Sequence, residues 1–210
     1  MKSVQVIKKV NNTELGKSAT HETYVLVPQE LNVSDLFEEL ETKYKFIDKG
    51  TNKPYELRLT SGREKRIVGL GPFYRDHDVF AGDEMLFEKR IKDSGENEYF
   101  VSVNKFQNIV VFQKKKNAFA VLTPERLAPL LNKEFQDLRG KQIQISLLGE
   151  FKMREDSPDL TKLYDILSNG KSLASEYSNN QMFEIVSDGN RIEMRPFRPW
   201  KKYVIEVNDG

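Results

Sequence analysis

Six residues between two predicted strands, Ser61–Arg66 (SGREKR), combine three cationic side chains with one carboxylate. The run YELRL before them alternates apolar and polar residues, and IVGLG follows, so we expect an exposed loop. Arg63, Lys65 and Arg66 can contact phosphates, and an arginine can also donate to O6 and N7 of guanine. Glu64 repels phosphate but can accept from the amino group of cytosine in the major groove. The alternative interpretation is a solvated loop in which Glu64 pairs with its neighbours.

A second polar stretch, Gly16–Thr23 (GKSATHET), precedes the β-rich run YVLVP. Lys17 offers a phosphate contact. The short hydrogen-bonding side chains that suit base edges are Ser18, Thr20, His21 and Glu22. Taken by itself this motif is weak, because a lone histidine is more often an ordinary surface residue.

The charge of the chain is balanced, with 33 basic and 32 acidic residues and a net charge of +1. This excludes a histone-like protein, whose affinity for nucleic acid comes from bulk positive charge. Within residues 49–66, however, six basic residues face only Glu56 and Glu64, a local net charge of +4. The positive charge is therefore concentrated around the SGREKR loop.

Several kinds of site are excluded by composition. The chain has no cysteine, so it has no disulfide and no thiolate zinc site, and its two histidines, His21 and His77, do not have metal-ligand spacing. It contains no P-loop, no GxGxxG and no GxSxG motif. We therefore predict no cofactor and no metal. No signal peptide or run of about 18 apolar residues is present, so we expect a cytoplasmic protein with no membrane partner.

The pattern of elements predicts a mostly β, α+β protein with a boundary near the charged turn at 114–117. Residues 1–116 read as short strands with one helix at 34–41, capped by Ser34. Residues 117–210 read as a smaller α+β domain, with helices from Thr123 towards Gly140 and over 159–167. The chain ends in VIEVNDG, a strand followed by turn formers, so we expect it to be the N-terminal part of a longer enzyme.

The two polar stretches together resemble the DNA-grasping arms of a known family. SATHETYVLVP, followed some forty residues later by TSGREKRIVGLG, resembles the B-three-like DNA-binding pseudobarrels of restriction enzymes, of the EcoRII amino-terminal effector domain and BfiI type. The later VFAGDEMLFEK is similar to the family's turn into a strand. The resemblance covers about residues 1–113 and departs from the EcoRII pattern between Pro28 and Tyr55. Residues 117–210 lie outside it.

This resemblance implies an open, seven-stranded pseudobarrel with one or two short helices, whose two arms enter the major groove. It places Lys17, Ser18, Thr20, His21 and Glu22 in the first arm, and Ser61, Arg63, Glu64, Lys65 and Arg66 in the second. The implied function is sequence-specific recognition of double-stranded DNA within a bacterial restriction system. The chain itself would not be an enzyme. Its partner would be a nuclease or NTPase domain or subunit, as in LlaJI-like McrBC systems, where such a domain targets a GTP-driven motor.

The main alternative is a metal-dependent nuclease of the PD-(D/E)xK type. Asp137, followed by Glu150 and Lys152 on one predicted strand, has suitable side chains for two metal-binding carboxylates and a lysine that supports water. Gln136 stands where this motif needs proline, and the Pro158-Asp159 pair has no (D/E)xK after it at a suitable distance.

Two weaker interpretations concern the second half. The run RPFRPWKKY interleaves aromatic and basic residues and could stack on unpaired bases, although such a run more often forms an aromatic edge of a core. The second half could also be a protein-interaction module that connects targeting to an effector.

Overall fold

The structure is a computed structural model, and it describes residues 2–17, 21–152 and 160–206. Most of these residues form strands, which confirms the mostly β class. The strands are Lys2–Lys9 (β1), Tyr24–Val27 (β2), Tyr44–Asp48 (β3), Pro54–Leu59 (β4), Lys65–Val68 (β5), Glu84–Ile91 (β6), Asn97–Asn104 (β7), Ile109–Lys115 (β8), Ala118–Val121 (β9), Glu134–Asp137 (β10), Gln142–Lys152 (β11), Leu160–Ser168 (β12), Lys171–Ser172 (β13), Met182–Ser187 (β14), Arg191–Pro196 (β15) and Trp200–Glu206 (β16).

Helical structure in the described residues is short. It consists of one six-residue α-helix, Gly71–Asp76 (α1), and 3-10 turns at Pro124–Arg126 and Ala174–Glu176. No helix among the described residues has the length and apolar character needed to cross a bilayer.

Contacts divide the chain into two compact units. The first unit comprises Met1–Lys105 and Arg198–Gly210, and the second comprises Phe106–Phe197. This division differs from the sequence-based boundary after residue 116. That position lies in the tight turn between β8 and β9, where Lys115 pairs with Ala118, so the charged run KKKN connects two strands of one sheet.

The first unit is one eight-stranded sheet in the order β16-β1-β6-β7-β3-β4-β5-β2. Seven of its strands come from residues 2–104, and the eighth, β16, returns from the end of the chain. The predicted pseudobarrel had seven strands, so the structure contains one strand more than predicted, β16. All pairings are antiparallel except β3 with β7. Fully buried side chains such as Val6, Phe46, Leu57, Ile67 and Phe87 form its core.

Strand β16 joins the first unit by pairing with β1 from Lys2↔Glu206 to Lys8↔Trp200. The Trp200 ring lies 5.0 Å from Nζ of Lys8. Nζ of Lys202 donates to the Asn32 carbonyl at 2.7 Å and bonds Asp35 at 2.8 Å. Trp200 and Lys202 of the run RPFRPWKKY therefore make contacts within the first unit.

The second unit is an eight-stranded sheet in the order β11-β10-β15-β14-β8-β9-β12-β13, and an additional β11–β12 pairing closes the ring of strands. Its core includes the rings of Phe112, Phe119 and Phe183, with Phe112 and Phe183 stacked at 5.6 Å. The predicted α+β character of this region is wrong, because strands supply nearly all of its regular structure.

The predicted helix from Thr123 towards Gly140 is a single 3-10 turn followed by β10. Thr123 is fully buried, and its Oγ1 accepts from the backbone N–H of Val111 at 2.9 Å instead of capping a helix. The predicted helix at 159–167 is β12, with Asp159 outside the described residues. Pairing of β12 with β11 along nine residues overrides the helical spacing of its leucines.

The predicted helix at 34–41 is also wrong. Ser34 uses its backbone N–H and its hydroxyl to donate to Oδ1 of Asn32, which forms a local turn. The N–H groups of Leu36 and Phe37 both donate to the Val33 carbonyl, at 3.0 and 2.9 Å, so the segment makes a turn that does not continue as a helix.

Candidate nucleic-acid interface

Two short antiparallel strands, β2 and β5, form a ribbon that connects both polar loops. Their register pairs Val25 with Ile67 and Leu26 with Arg66. Val25 and Ile67 are fully buried, so they face the core. Because side chains alternate along a strand, Leu26 and Arg66 lie on the outer face.

The first loop, Gly16–Thr23, leads into β2. The two ends of this loop are held together by a bridge between Leu15 and Thr23 and by the Tyr24 N–H, which donates to the Glu14 carbonyl at 3.0 Å. Gly16 has φ +69°, and a Cβ there would lie 2.9 Å from the carbonyl oxygen of His21. Only glycine fits at position 16 without strain.

The side chains of the first loop are placed as far as the structure describes them. His21 and Glu22 are exposed, and Nζ of Lys17 lies 4.4 Å above the Phe80 ring. The predicted residues Ser18 and Thr20 lie outside the described residues.

The second loop, Ser61–Arg66, connects β4 to β5, and its last two residues begin β5. The Thr60 N–H donates to the Arg66 carbonyl at 2.9 Å, and the Arg66 N–H donates to Oγ1 of Thr60 at 3.0 Å. These bonds close the loop. Arg63, Glu64 and Lys65 are exposed at its tip. In the part of the chain that the structure describes, neither Arg63 nor Lys65 makes an ion pair.

Arg66 connects the two loops. Its guanidinium donates to Oε2 of Glu22 at 3.2 Å and to Oε2 of Glu64 at 2.9 Å, and it lies 4.3 Å above the Tyr24 ring. The hydrogen bond to Glu64 raises the pKa of Arg66. The structure thus brings together one carboxylate from each loop around one arginine on the outer face of the ribbon.

The base of the second loop is held by Glu41, which sequence reasoning missed. Oε1 of Glu41 accepts from the backbone N–H of Ser61 at 2.7 Å and from its hydroxyl at 2.9 Å, while Oε2 pairs with Arg58. The hydrogen bond from the Ser61 backbone lowers the pKa of the Glu41 carboxyl. The predicted site residue Ser61 therefore anchors the loop.

The base of the first loop is held by Glu14, which sequence reasoning also missed. Glu14 is 2% exposed, and its carboxylate lies 3.0 Å from Nζ of Lys8. It accepts from the N–H groups of Leu26 at 3.0 Å and of Asn11 at 3.1 Å. The sequence of β1 could have indicated this contact, because alternation places Lys8 on the same inward face as Val4 and Val6. A lysine there needs a buried carboxylate partner.

The residues of the alternative nuclease site are not brought together. Glu150 and Lys152 lie on β11, and Asp137 ends β10. Gln136, beside Asp137, pairs with Gln142, and the eight residues from Gln142 to Glu150 span about 25 Å of strand. Oδ1 of Asp137 instead accepts from the N–H groups of Arg139 and Lys141, both at 2.8 Å. Within the described residues, no group of three or more His, Cys, Asp or Glu side chains could hold a metal ion.

No family model matches the chain, and no curated protein matches it. Among solved structures, the chain is similar to the N-terminal domain of Helicobacter pylori LlaJI.R1, with 12% identity and a TM-score of 0.36. The match covers 50% of this chain and 82% of that one. A likeness of this size does not establish a common fold.

Proposed function

We propose that the first unit recognises a specific sequence in double-stranded DNA, gripping the major groove with the two loops in the manner of B-three-like domains. The observation that carries this proposal is the meeting of the two loops on one ribbon. They are about forty residues apart in sequence, yet Arg66 contacts Glu22 in one and Glu64 in the other.

The spacing of the loops suits a DNA groove. Because β2 and β5 are antiparallel, the first loop enters at one end of the ribbon and the second loop at the other. Four residue pairs separate them, from Tyr24↔Val68 to Val27↔Lys65, or about 10 Å. The major groove is about 12 Å wide, so both loops can reach one groove.

The charges of the loops favour base reading over bulk attraction. Arg63 and Lys65 are exposed and available to phosphates or to guanine. Among the contacts of the described residues, Arg66 bonds Oε2 of Glu22 and Oε2 of Glu64, which leaves Oε1 of each carboxylate to accept from a cytosine or adenine amino group. Arg66 is thus a positioning residue for the two acidic readers.

We further propose that the chain is the DNA-targeting part of a restriction system and that cleavage or nucleotide hydrolysis is performed by another domain or subunit. The separation of Asp137 from Glu150, and a sequence without nucleotide-binding motifs, support placing the catalysis elsewhere. Cleavage of plasmid DNA by this chain alone with Mg²⁺ would contradict it.

The test of recognition is a selection of bound duplexes from random DNA at two salt concentrations. We expect a discrete motif that persists at the higher salt. Arg63→Ala and Glu64→Ala should each cost about 1–3 kcal/mol at that motif and relax its specificity. Lys65→Ala should weaken binding to all sequences alike and reduce the slope of log K against log salt by about 1.

The matched control is Lys133→Ala, which removes an exposed lysine from the second unit and should leave the motif unchanged. The proposal is refuted if a variant with alanine at positions 63, 64 and 66 binds the motif and a scrambled duplex as the unaltered chain does.

A further inference from the structure

A cavity of about 600 Å³ lies beside the second loop in the first unit. Its inner lining is apolar and buried, formed by side chains that include Val33, Phe37 and Leu59. Towards solvent it is lined by Leu26 and Leu40, which are 39% and 44% exposed. These two are large apolar side chains left open to water at the mouth of a preformed cavity. The opening therefore suits an apolar ligand.

The polar groups at the cavity are arranged on two sides. Gln29 and Glu38 line it from the segment that follows β2, while Arg63, Glu64 and Lys65 line it from the second loop. Cationic side chains therefore stand beside an apolar interior, and carboxylates face the same space. A matching ligand has an apolar body, a hydrogen-bonding edge that includes a donor, and an anionic group attached to it.

We propose that this cavity receives a nucleobase extruded from the bound duplex, an inference that rests on the function proposed above. A volume of 600 Å³ lies in the range of pockets that bury small molecules, and it accommodates a base with its sugar. The apolar lining contacts the faces of the base, and Arg63 and Lys65 donate to its phosphates. Oε1 of Glu38 already bonds Lys89 and Asn97, so Glu64 is the carboxylate that accepts from the extruded base and selects an exocyclic amino group, as in cytosine or adenine.

A base extruded next to the second loop would have only a short distance to move into the cavity. Arg63, Glu64 and Lys65 belong both to the loop proposed to enter the groove and to the cavity lining. A base unstacked next to this loop would pass directly into an apolar environment. Extrusion costs a few kcal/mol of stacking and pairing, and the cost is smallest for a mismatched base.

The experiment uses the whole chain and the duplex motif obtained by selection. In separate duplexes, each adenine is replaced by 2-aminopurine and each cytosine by pyrrolo-cytosine, two analogues whose emission rises when they leave the base stack. We expect a several-fold rise on saturation at one position only. A mismatch at that position should strengthen binding several-fold, because the pairing energy is no longer lost.

Leu40→Trp tests whether the cavity holds the base. It fills the mouth from a half-exposed position, so the fold should tolerate it, and we expect it to abolish the rise and, by excluding the base, to weaken binding of the motif about tenfold or more. Leu138→Trp, at a position 67% exposed in the second unit, is the matched control and should change neither quantity.

The outcomes separate this inference from the proposed function. Sequence-specific binding without a rise at any position overturns extrusion and leaves duplex recognition standing. A rise that Leu40→Trp does not alter shows that the base goes elsewhere and overturns the cavity assignment. Binding of free dCMP or dAMP without any rise in the duplex assigns the cavity to a free nucleotide instead. Absence of sequence-specific binding overturns both proposals.

Discussion

Replacing Glu14 by glutamine should destabilise the first unit strongly, because it leaves the ammonium group of Lys8 buried without a counter-charge. Lys8 and Glu14 are 3% and 2% exposed. Burial lowers the pKa of Lys8 and raises the pKa of Glu14, so each charge depends on the other. Breaking a buried pair by removing one partner typically costs about 3–5 kcal/mol.

The loss of unfolding free energy in Glu14→Gln has an upper limit, which is set by the titration of Lys8. An unpaired buried lysine can lose its proton, and with an unfolded pKa of about 10.4 this costs about 4.6 kcal/mol at pH 7. The variant's native state then binds fewer protons than its unfolded state, so its stability rises with pH. The difference from the unaltered chain should shrink by about 2.7 kcal/mol between pH 7 and pH 9.

Urea unfolding at both pH values measures this difference. The matched control is Lys8→Met combined with Glu14→Gln, which removes the buried charge and keeps an acceptor for the N–H of Leu26. It should recover most of the lost stability. A Glu14→Gln variant within 1 kcal/mol of the unaltered chain, or a deficit that is the same at pH 7 and pH 9, would refute the role given to the Lys8–Glu14 pair.

Three further predictions concern the loops and the sheet. Gly16→Ala should lower the melting temperature more than Gly95→Ala, because both have positive φ but only Gly16 has backbone within 4 Å of the added Cβ. Burial alone raises the pKa of Glu88, but hydrogen bonds from neighbours such as Arg90 outweigh it and lower the pKa to about 2. Its contribution to stability is therefore present above the unfolded pKa near 4.5 and is lost as pH falls towards 2. Stabilities of Glu88→Gln and the unaltered chain, measured by urea unfolding, should converge over that window. Glu41→Gln should speed amide exchange in the second loop and weaken DNA binding, whereas exchange in the first loop should not change.

Strands were predictable wherever the local pattern agreed with the fold. The run YVLV became β2, and YELRL became most of β4, because alternation and β-branched or aromatic residues specify a half-buried strand. The turn at Gly82-Asp83 into β6 is confirmed, with the Gly82 N–H bonded to the Val10 carbonyl at 2.9 Å.

Helices were not predictable, because side chains and strands from elsewhere override the local pattern. The side chain of Thr123, predicted to cap a helix, instead accepts a hydrogen bond from the N–H of Val111 in β8. Leucines at helical spacing between Leu160 and Leu167 lie on a strand paired on both edges. In each instance the partner lies outside the window that specifies a helix.

The two polar loops were predictable from the sequence, but the contacts between them were not. The types and order of residues in the two polar stretches identified both loops, including Arg66 and Glu64. Their side chains meet only because β2 and β5 pair. Glu41 was missed because it acts on Ser61, which is distant in sequence, and Glu14 was missed because its partners Lys8 and Leu26 lie in two different strands.

By itself the sequence determined where most strands form, which two loops carry polar chemistry and where positive charge is concentrated, since these depend on neighbours along the chain. Only the tertiary structure decided that Arg66 joins both loops, that β16 returns to β1 and that β11 and β12 close the second sheet. Each of these requires residues distant in sequence to meet. Such contacts are selected by burial and pairing over the whole molecule, which no local pattern contains.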